Sequence, residues 1–297
     1  MLLESSIPIK YSFGIIKYEL IIVLCVGLAT HFGAIEFMSA LPVMPLAIPA
    51  FLGTSISVLL SFKMNQSYDR WWEARRIWGG ILNDSRSLII QLQTFMGAGQ
   101  AQAIKQIGYR QIAWGYILGR SLRKLDTLQN IGHLLPVAEL AEAAKQNNQP
   151  LFLLQTTSRD LQELRLRKIL DVHAHIHLQE TIIRLTDSMG SVERINSTIF
   201  PSSYRLVLHF IIYLFVVTLA ISLKDIDNRL VAPLLLLISA GFFLIEKVAY
   251  HLQDPFRNRP SDVPITEIAM TVERDIRQLL GEAAATTKPD TRTYYIM

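Results

Sequence analysis

Four runs of apolar residues dominate the hydrophobic pattern, at residues 18–32, 45–62, 204–223 and 230–249. Each is close to the roughly 20 residues that a helix needs to span a bilayer. The second run does not end in a loop. It is uncharged from Leu52 to Phe62, and then Lys63, Asp69, Arg70, Trp71, Trp72, Glu73, Arg75, Arg76 and Trp78 follow with no convincing helix breaker. A helix with that change of polarity leaves a bilayer and continues into water, which suits the central helix of a membrane pore. Between the second and third runs, residues 84–200 read as a water-soluble helical region. Ile104, Ile107, Ile112, Trp114, Ile117 and Leu118 recur at helical spacing. A weaker helix is expected over 136–145, a break at QNNQP (146–150), and then a long amphipathic helix capped by Thr157 or Ser158 and running through 185. No strand pattern competes. The fold class is therefore all-α: four transmembrane helices plus helical cytosolic regions at 63–200 and 250–282. A tail over 283–297 is expected to be flexible unless Tyr294, Tyr295 and Ile296 dock on a surface.

Composition agrees with a mixed membrane and cytosolic chain. Of 297 residues, 51% are hydrophobic and 18% charged, and the mean hydropathy is +0.29, too apolar for an ordinary soluble domain. The net charge of +4 is placed unevenly. The link at 33–44 holds Glu36 and no Lys or Arg, and the outer link at 224–229 is balanced. Lys63, Arg70, Arg75, Arg76 and Arg86 follow the second run, and Lys247 at the end of the fourth run is followed by Arg257 and Arg259. The positive-inside rule then puts both termini and the middle region in the cytoplasm, with the helices in the inner membrane. Pro42, Pro45 and Pro49 cluster at the entry to the second run, where a helix start tolerates proline. The single cysteine, Cys25, allows no internal disulfide. The first residues lack the order of a signal peptide, because Lys10 and Lys17 do not precede a short apolar core with a cleavage site.

Several local patterns could carry chemistry. The aromatic and basic cluster DRWWEARR suggests nucleic acid in isolation, but tryptophans at the cytosolic end of a membrane helix usually form a packed junction, so Arg70, Trp71 and Trp72 are assigned to the membrane–cytosol junction and no nucleic-acid partner is expected. Arg70, Arg75 and Arg76 stand at pairing distance in sequence from Asp69 and Glu73. In DVHAHIHLQE, His173 and His177 share a helical face, a spacing that can bind zinc, with Asp171 and Glu180 nearby. There is no HExxH, however, and the run reads as a solvated face; no metal and no cofactor are predicted. Glu246 and Lys247 lie within the fourth run and should face protein or water rather than lipid, and as helical neighbours they need not pair with each other. His31 and His209 read as satisfied or interfacial. No phosphate loop, nucleophile elbow or catalytic carboxylate pair is present, so no enzyme is expected.

Taken together, YDRWWEARRIWGGILNDSRSL (68–88), ERINSTIFPSSYRLVLHFIIYLF (193–215), EKVAYHLQDPFRNRPSDVPI (246–265) and ERDIRQLLGE (273–282) resemble the bestrophin family of ion channels in its short prokaryotic form. The resemblance covers most of the chain. It implies a homopentamer around one axial pore that passes small monovalent ions, anions in some members and cations in others. It also implies a hydrophobic neck on the second membrane helix at three positions spaced by four, which count back from Arg70 to Thr54, Val58 and Phe62. Thr54 departs from the aliphatic pattern, so a wetter, wider upper neck is expected, with Phe62 the main dewetting barrier. Counting back from Pro201 places the lower constriction, the aperture, at His173, and a one-turn shift in register moves it to His177. Acid would add positive charge to such a ring and favour anions. The acidic calcium clasp of animal members is interrupted here: Gln253, Asp254 and Asp262 remain, but Arg257 and Arg259 intervene, and calcium is not predicted. Two other readings stay open: a membrane-anchored scaffold or binding protein, and a membrane enzyme using a histidine-bound metal.

Overall fold

The computed structural model describes residues 9–37, 44–198, 201–224, 226 and 228–282. The tail and its Tyr294, Tyr295 and Ile296 cluster, like Pro42, lie outside the described residues. Among those described, the secondary structure is helical: α1 (Ile9–Glu36), α2 (Ala47–Met96), α3 (Ala101–Leu122), α4 (Val137–Ala144), α5 (Gln149–Leu166), α6 (Val172–Ser197), α7 (Ser202–Ser222), α8 (Asn228–Gln253) and α9 (Ile265–Leu279). The chain forms two compact units. One holds α1, α2 as far as Arg70, α7 and α8; the other holds α2 from Trp71, α3 to α6, and the chain from Pro255 onward with α9. Four of the described helices are long and apolar enough to cross a membrane: α1, α2, α7 and α8.

In the first unit, α1, α7 and α8 pack on one another. Their shared core holds Val23, Ile212, Val216, Val231, Leu235 and Phe243, and α2 contributes Ile56 and Leu60. Gly27 on α1 sets the closest approach: a Cβ there would stand 2.8 Å from Leu235 Cδ1 on α8. His31 is buried in this core with its Nδ1 3.4 Å from the Ala220 carbonyl oxygen. Large apolar side chains remain on the outer faces, among them Tyr18 and Ile21 on α1, Leu206 and Phe210 on α7 and Leu237 on α8. A soluble protein could not leave that much apolar surface bare, whereas acyl chains or another subunit cover it at no cost. The hydroxyls within the apolar part of α2 are satisfied locally. Thr54 Oγ1 donates to the Ala50 carbonyl (3.0 Å), Ser55 Oγ to Phe51 (2.9 Å) and Ser57 Oγ to Gly53 (2.9 Å), the back-bonding that lets hydroxyl side chains sit in a medium without water.

The second unit is built like a water-soluble bundle. From α2 it buries Ala74, Trp78, Ile81, Leu88, Ile89 and Leu92; from α3, Ile104, Ile107, Ile112, Trp114, Ile117 and Leu118; and from α9, Ile265, Ile268, Val272 and Ile276. All six α3 positions read from the sequence are therefore core. Polar ties fix the register of α2 in this unit: Gln111 Nε2 donates to Ser85 Oγ (2.9 Å), Thr181 Oγ1 to Gln91 Oε1 (2.9 Å) and Arg86 Nε to Asp275 Oδ2 (2.8 Å). Arg110 is 2% exposed and is compensated by two acids: its Nε and Nη2 donate to the two Glu139 oxygens (2.5 and 3.0 Å) and its Nη1 to Asp160 (2.7 Å). Burying a guanidinium is tolerable when each of its edges meets a carboxylate.

Two sequence expectations fail over 146–171. Thr157 and Ser158 cap nothing, because they lie inside α5, which starts earlier; its cap is Asn148, whose Oδ1 accepts from Leu151 N at 3.0 Å, with Pro150 at the helix start. Thr157 is buried and donates to the Leu153 carbonyl. The expected single helix through 185 is also two helices. It breaks after Leu166, where Lys168 adopts a left-handed φ of 59° and the Ile169 and Leu170 amides both reach back to the Leu164 carbonyl. The break buries Leu164 and Leu170 together in the core, which offsets the strain of a non-glycine residue in that conformation.

Gly119 on α3 is the tightest seam in this unit: a Cβ there would lie 2.6 Å from Ile265 Cγ2 on α9. Gly119→Ala is expected to destabilise the unit by about 1 kcal/mol net, since overpacking costs about 1–3 kcal/mol and the lost glycine returns about 1 kcal/mol of helix propensity. Adding Ile265→Ala should relieve the clash, so thermal unfolding midpoints of the two single variants and the double variant are expected to be non-additive.

Candidate pore-lining site

The part of α2 within the first unit has two faces. Ile56, Leu60, Lys63 and Ser67 are buried, and their spacing of four, three and four residues marks one helical stripe. On the opposite side Phe51, Thr54, Val58, Ser61, Phe62, Asn65 and Asp69 are exposed. At about 100° per residue, Thr54, Val58 and Phe62 fan over about 80° of that side, with Val58 50% and Phe62 63% exposed. The three positions expected to form the neck thus share one free face of the helix, and none of them belongs to the packed core. The sequence reading missed their polar neighbours. Asn65 lies nearer the centre of the same face than Phe62 and Ser61 flanks it on the other side, and a helical wheel anchored on a buried Lys63 would have found them. Above Phe62 the face carries no charge; below it come Asn65, Gln66 and Asp69.

Beyond Asp69, Arg70 is half-buried and feels the Asp254 carboxylate. Trp71 donates its Nε1–H to the Ser261 carbonyl (3.0 Å), while Trp72 is 54% exposed with its ring 6.5 Å from that of Trp71. The three residues assigned to the junction thus differ in exposure: Arg70 and Trp71 are partly buried, and more than half of Trp72 is exposed. Arg76 pairs with Glu73 at 2.5 Å, as the spacing suggested.

The two aperture candidates open α6. Asp171 caps the helix, its Oδ1 accepting from Ala174 N at 2.8 Å. That bond, with smaller contributions from the His173 amide and from His173 and His177, holds the Asp171 carboxyl below its ordinary pKa. Ala174 and Leu178 are buried, whereas Val172, His173, Ile176 and His177 are exposed. The two histidines differ in their surroundings. His177 stacks on Phe95 with ring centroids 6.4 Å apart and approaches Glu180 at 3.3 Å; His173 stands outward beside Val172. Val172, half-exposed at the first helical position, is a further candidate that counting from Pro201 overlooked. His175 lies on another side of the helix and is partly buried. Among the described residues no group of three or more His, Cys, Asp or Glu side chains is placed to hold a metal ion.

The segment after α8 does not fit a divalent cation either. Asp262 is 2% exposed, accepts from the Arg259 amide at 3.0 Å and is surrounded by Arg259 and Arg123. Burial raises its pKa despite those cations, and burial likewise lowers that of Arg123. Among the described residues no cluster of carboxylates gathers around Asp262 that would supply the oxygen ligands calcium needs.

Comparison with known proteins agrees with this architecture. The family described as Bacterial/Fungal Bestrophin protein matches residues 13–278. The voltage-dependent anion channel-forming protein YneE of Escherichia coli is 30% identical over 260 residues, covering 87% of this chain and 82% of its own. A voltage-dependent anion channel-forming protein of Ralstonia nicotianae is 24% identical over 94% of this chain and 91% of its own. The crystal structure of a bacterial bestrophin homolog from Klebsiella pneumoniae superposes with a TM-score of 0.84 at 25% identity, covering 90% of this chain and 99% of that one. With nine-tenths of its length inside the family match and its helices in the arrangement of a solved homolog, the chain belongs to the bestrophin family.

Proposed function

We infer that the chain is the subunit of a homopentameric channel of the inner membrane that passes small monovalent ions, anions foremost. One observation carries the reading: α2 keeps Thr54, Val58 and Phe62 on a free face directly opposite its packed one. Five such faces around an axis would make a narrow apolar neck, through which ions pass partly dehydrated. The names of the Escherichia coli and Ralstonia relatives support the preference for anions, and the bias of Lys and Arg supports cytoplasmic termini. The proposed role is passive conduction without catalysis. His173 is the better candidate for the aperture, with Val172 beside it, because His177 is held sideways by Phe95 and Glu180. The scaffold and metalloenzyme alternatives gain no support from the site. Purified protein in liposomes is expected to discharge a chloride gradient; vesicles that stay tight would overturn the reading in favour of a scaffold.

Within the neck, Phe62 is the dewetting barrier and Thr54 a wide place. Because the Thr54 hydroxyl proton goes to the Ala50 carbonyl, its oxygen faces the pore as an acceptor and offers an anion no donor. Phe62→Ala should therefore raise bilayer conductance about twofold or more, Thr54→Ile should lower it by less, and Thr54→Val should leave it nearly unchanged. Unchanged conductance in Phe62→Ala with a block in Thr54→Ile would reverse the order of the barriers.

The cap under the aperture is acid-sensitive. Since the folded pKa of Asp171 lies below its unfolded value, the stability it gives α6 is fully present above the ordinary aspartate range and is lost as pH falls through the folded value. Asn caps comparably without titrating. Amide hydrogen exchange should show first-turn protection of α6 lost at acid pH in the wild type and retained in Asp171→Asn.

A further inference from the structure

In the first unit the free face of α2 ends on an acid, Asp69, and its surroundings differ from those of the other acids of the helix. α2 carries three: Asp69, Glu73 and Asp84. Two of them meet a guanidinium, Glu73 that of Arg76 at 2.5 Å and Asp84 that of Arg184 at 2.8 Å. Asp69 is exposed and pairs with no Lys, Arg or His among the described residues. The helix itself offers it no cation, because the positions three and four residues away hold Asn65, Gln66, Trp72 and Glu73. Its neighbour Arg70 leaves the helix about 100° further round and feels Asp254.

The direction of Asp69 follows from the geometry that aligns the proposed neck. At about 100° per residue it falls between Val58 and Phe62, about 20° from each. At about 1.5 Å per residue it stands about 10 Å beyond Phe62 along the helix axis. Whatever Val58 and Phe62 face, Asp69 therefore faces too, two turns further on. In a water-soluble helix it would be an ordinary solvated charge. Around the axis of a pentamer it is repeated five times, at one end of an apolar constriction whose low-dielectric wall focuses the field of the carboxylates on the ion path. The other end has no such ring, since the face carries no charge above Phe62. We propose that Asp69 is a specificity-determining residue: its carboxylates draw cations to the Phe62 end of the neck and repel anions there. It thereby holds the preference for chloride over potassium below the value that the neck alone would give. The proposal rests on the channel reading given above. It needs no direct contact between Asp69 and a dehydrated ion, only a fixed charge beside the path.

The test is the reversal potential of the full-length channel under a potassium chloride gradient at fixed pH. Asp69→Asn keeps the size of the side chain and removes its charge, and should raise the chloride-to-potassium permeability ratio by about threefold or more. Asp69→Glu keeps the charge and should leave the ratio near the wild-type value. Asn65→Asp in the Asp69→Asn background rebuilds a ring one turn nearer Phe62 and should bring the ratio back down. Salt supplies a readout that a structural role would not move. The Debye length falls from about 10 Å at 0.1 M to about 3 Å at 1 M, so the difference between Asp69→Asn and the wild type should shrink at the higher concentration. Should Asp69→Asn fail to assemble, Asp69→Gln, compared with Asp69→Glu, carries the same arm of the test. Conducting Asp69→Asn or Asp69→Gln channels whose ratio stays at the wild-type value, or an equal rise in Asp69→Glu, would overturn the proposal and leave the channel reading intact. A wild type without ion flux would overturn both.

Discussion

The structure depends first on which side of α2 is packed. Ile56, Leu60, Lys63 and Ser67 fix that side in the first unit, and Ala74, Trp78, Ile81, Leu88, Ile89 and Leu92 continue the helix as core in the second. Once those positions are inside, the orientation of every other α2 side chain follows from helical geometry alone. No loop decides the face that Thr54, Val58 and Phe62 present; it is what remains after the core has been assembled. A one-residue shift would turn the whole helix by about 100° and put Ser55, Leu59, Phe62 and Gln66, or Ser57, Ser61, Met64 and Tyr68, in the places of Ile56, Leu60, Lys63 and Ser67. The ties from Tyr204 to the Leu59 carbonyl (2.7 Å) and from Lys63 to Glu246 oppose such a shift.

The bilayer imposes a second condition on the first unit, that its polar groups find partners within the protein. Its solutions are local where possible and distant where not. Hydroxyls on α2 turn back onto carbonyls of the previous turn, whereas His31, Lys63 and Glu246 reach partners on other helices. In the second unit water does part of this work, so Arg76 and Arg167 keep surface pairs with Glu73 and Glu163, and only Arg110 needs a fully built receptacle. The two units thus treat charge differently although a single helix runs through both.

Much of this was legible in the sequence. Spans of about twenty apolar residues are a strong signal, and the α3 core positions followed from their spacing. The break between α5 and α6 was not legible, because neither glycine nor proline marks it. Lys168 takes a left-handed conformation that tertiary burial of Leu164 and Leu170 compensates. The start of α5 was misplaced for a related reason: Asn148 and Pro150, read as a break, form the beginning of a helix. At the site, family resemblance supplied the proposed neck positions, and periodicity alone would have shown only that Val58 and Phe62 lie on one face. The pairing of Lys63 with Glu246 could not be read, since it joins residues nearly two hundred positions apart, a proximity that only tertiary structure creates.

The hydroxyls of Thr54, Ser55 and Ser57 have a mechanical side as well. Each loads a main-chain carbonyl of α2, and shared carbonyls soften a helix and favour bending at that turn. One turn further on, the Leu59 carbonyl is instead clasped from outside by the Tyr204 hydroxyl, which braces the rod. The wall that carries Thr54 is therefore the compliant section and the wall that carries Phe62 the stiff one. Elastic give is concentrated at the end of the free face that carries Thr54, while the end that carries Phe62 is held against a neighbouring helix.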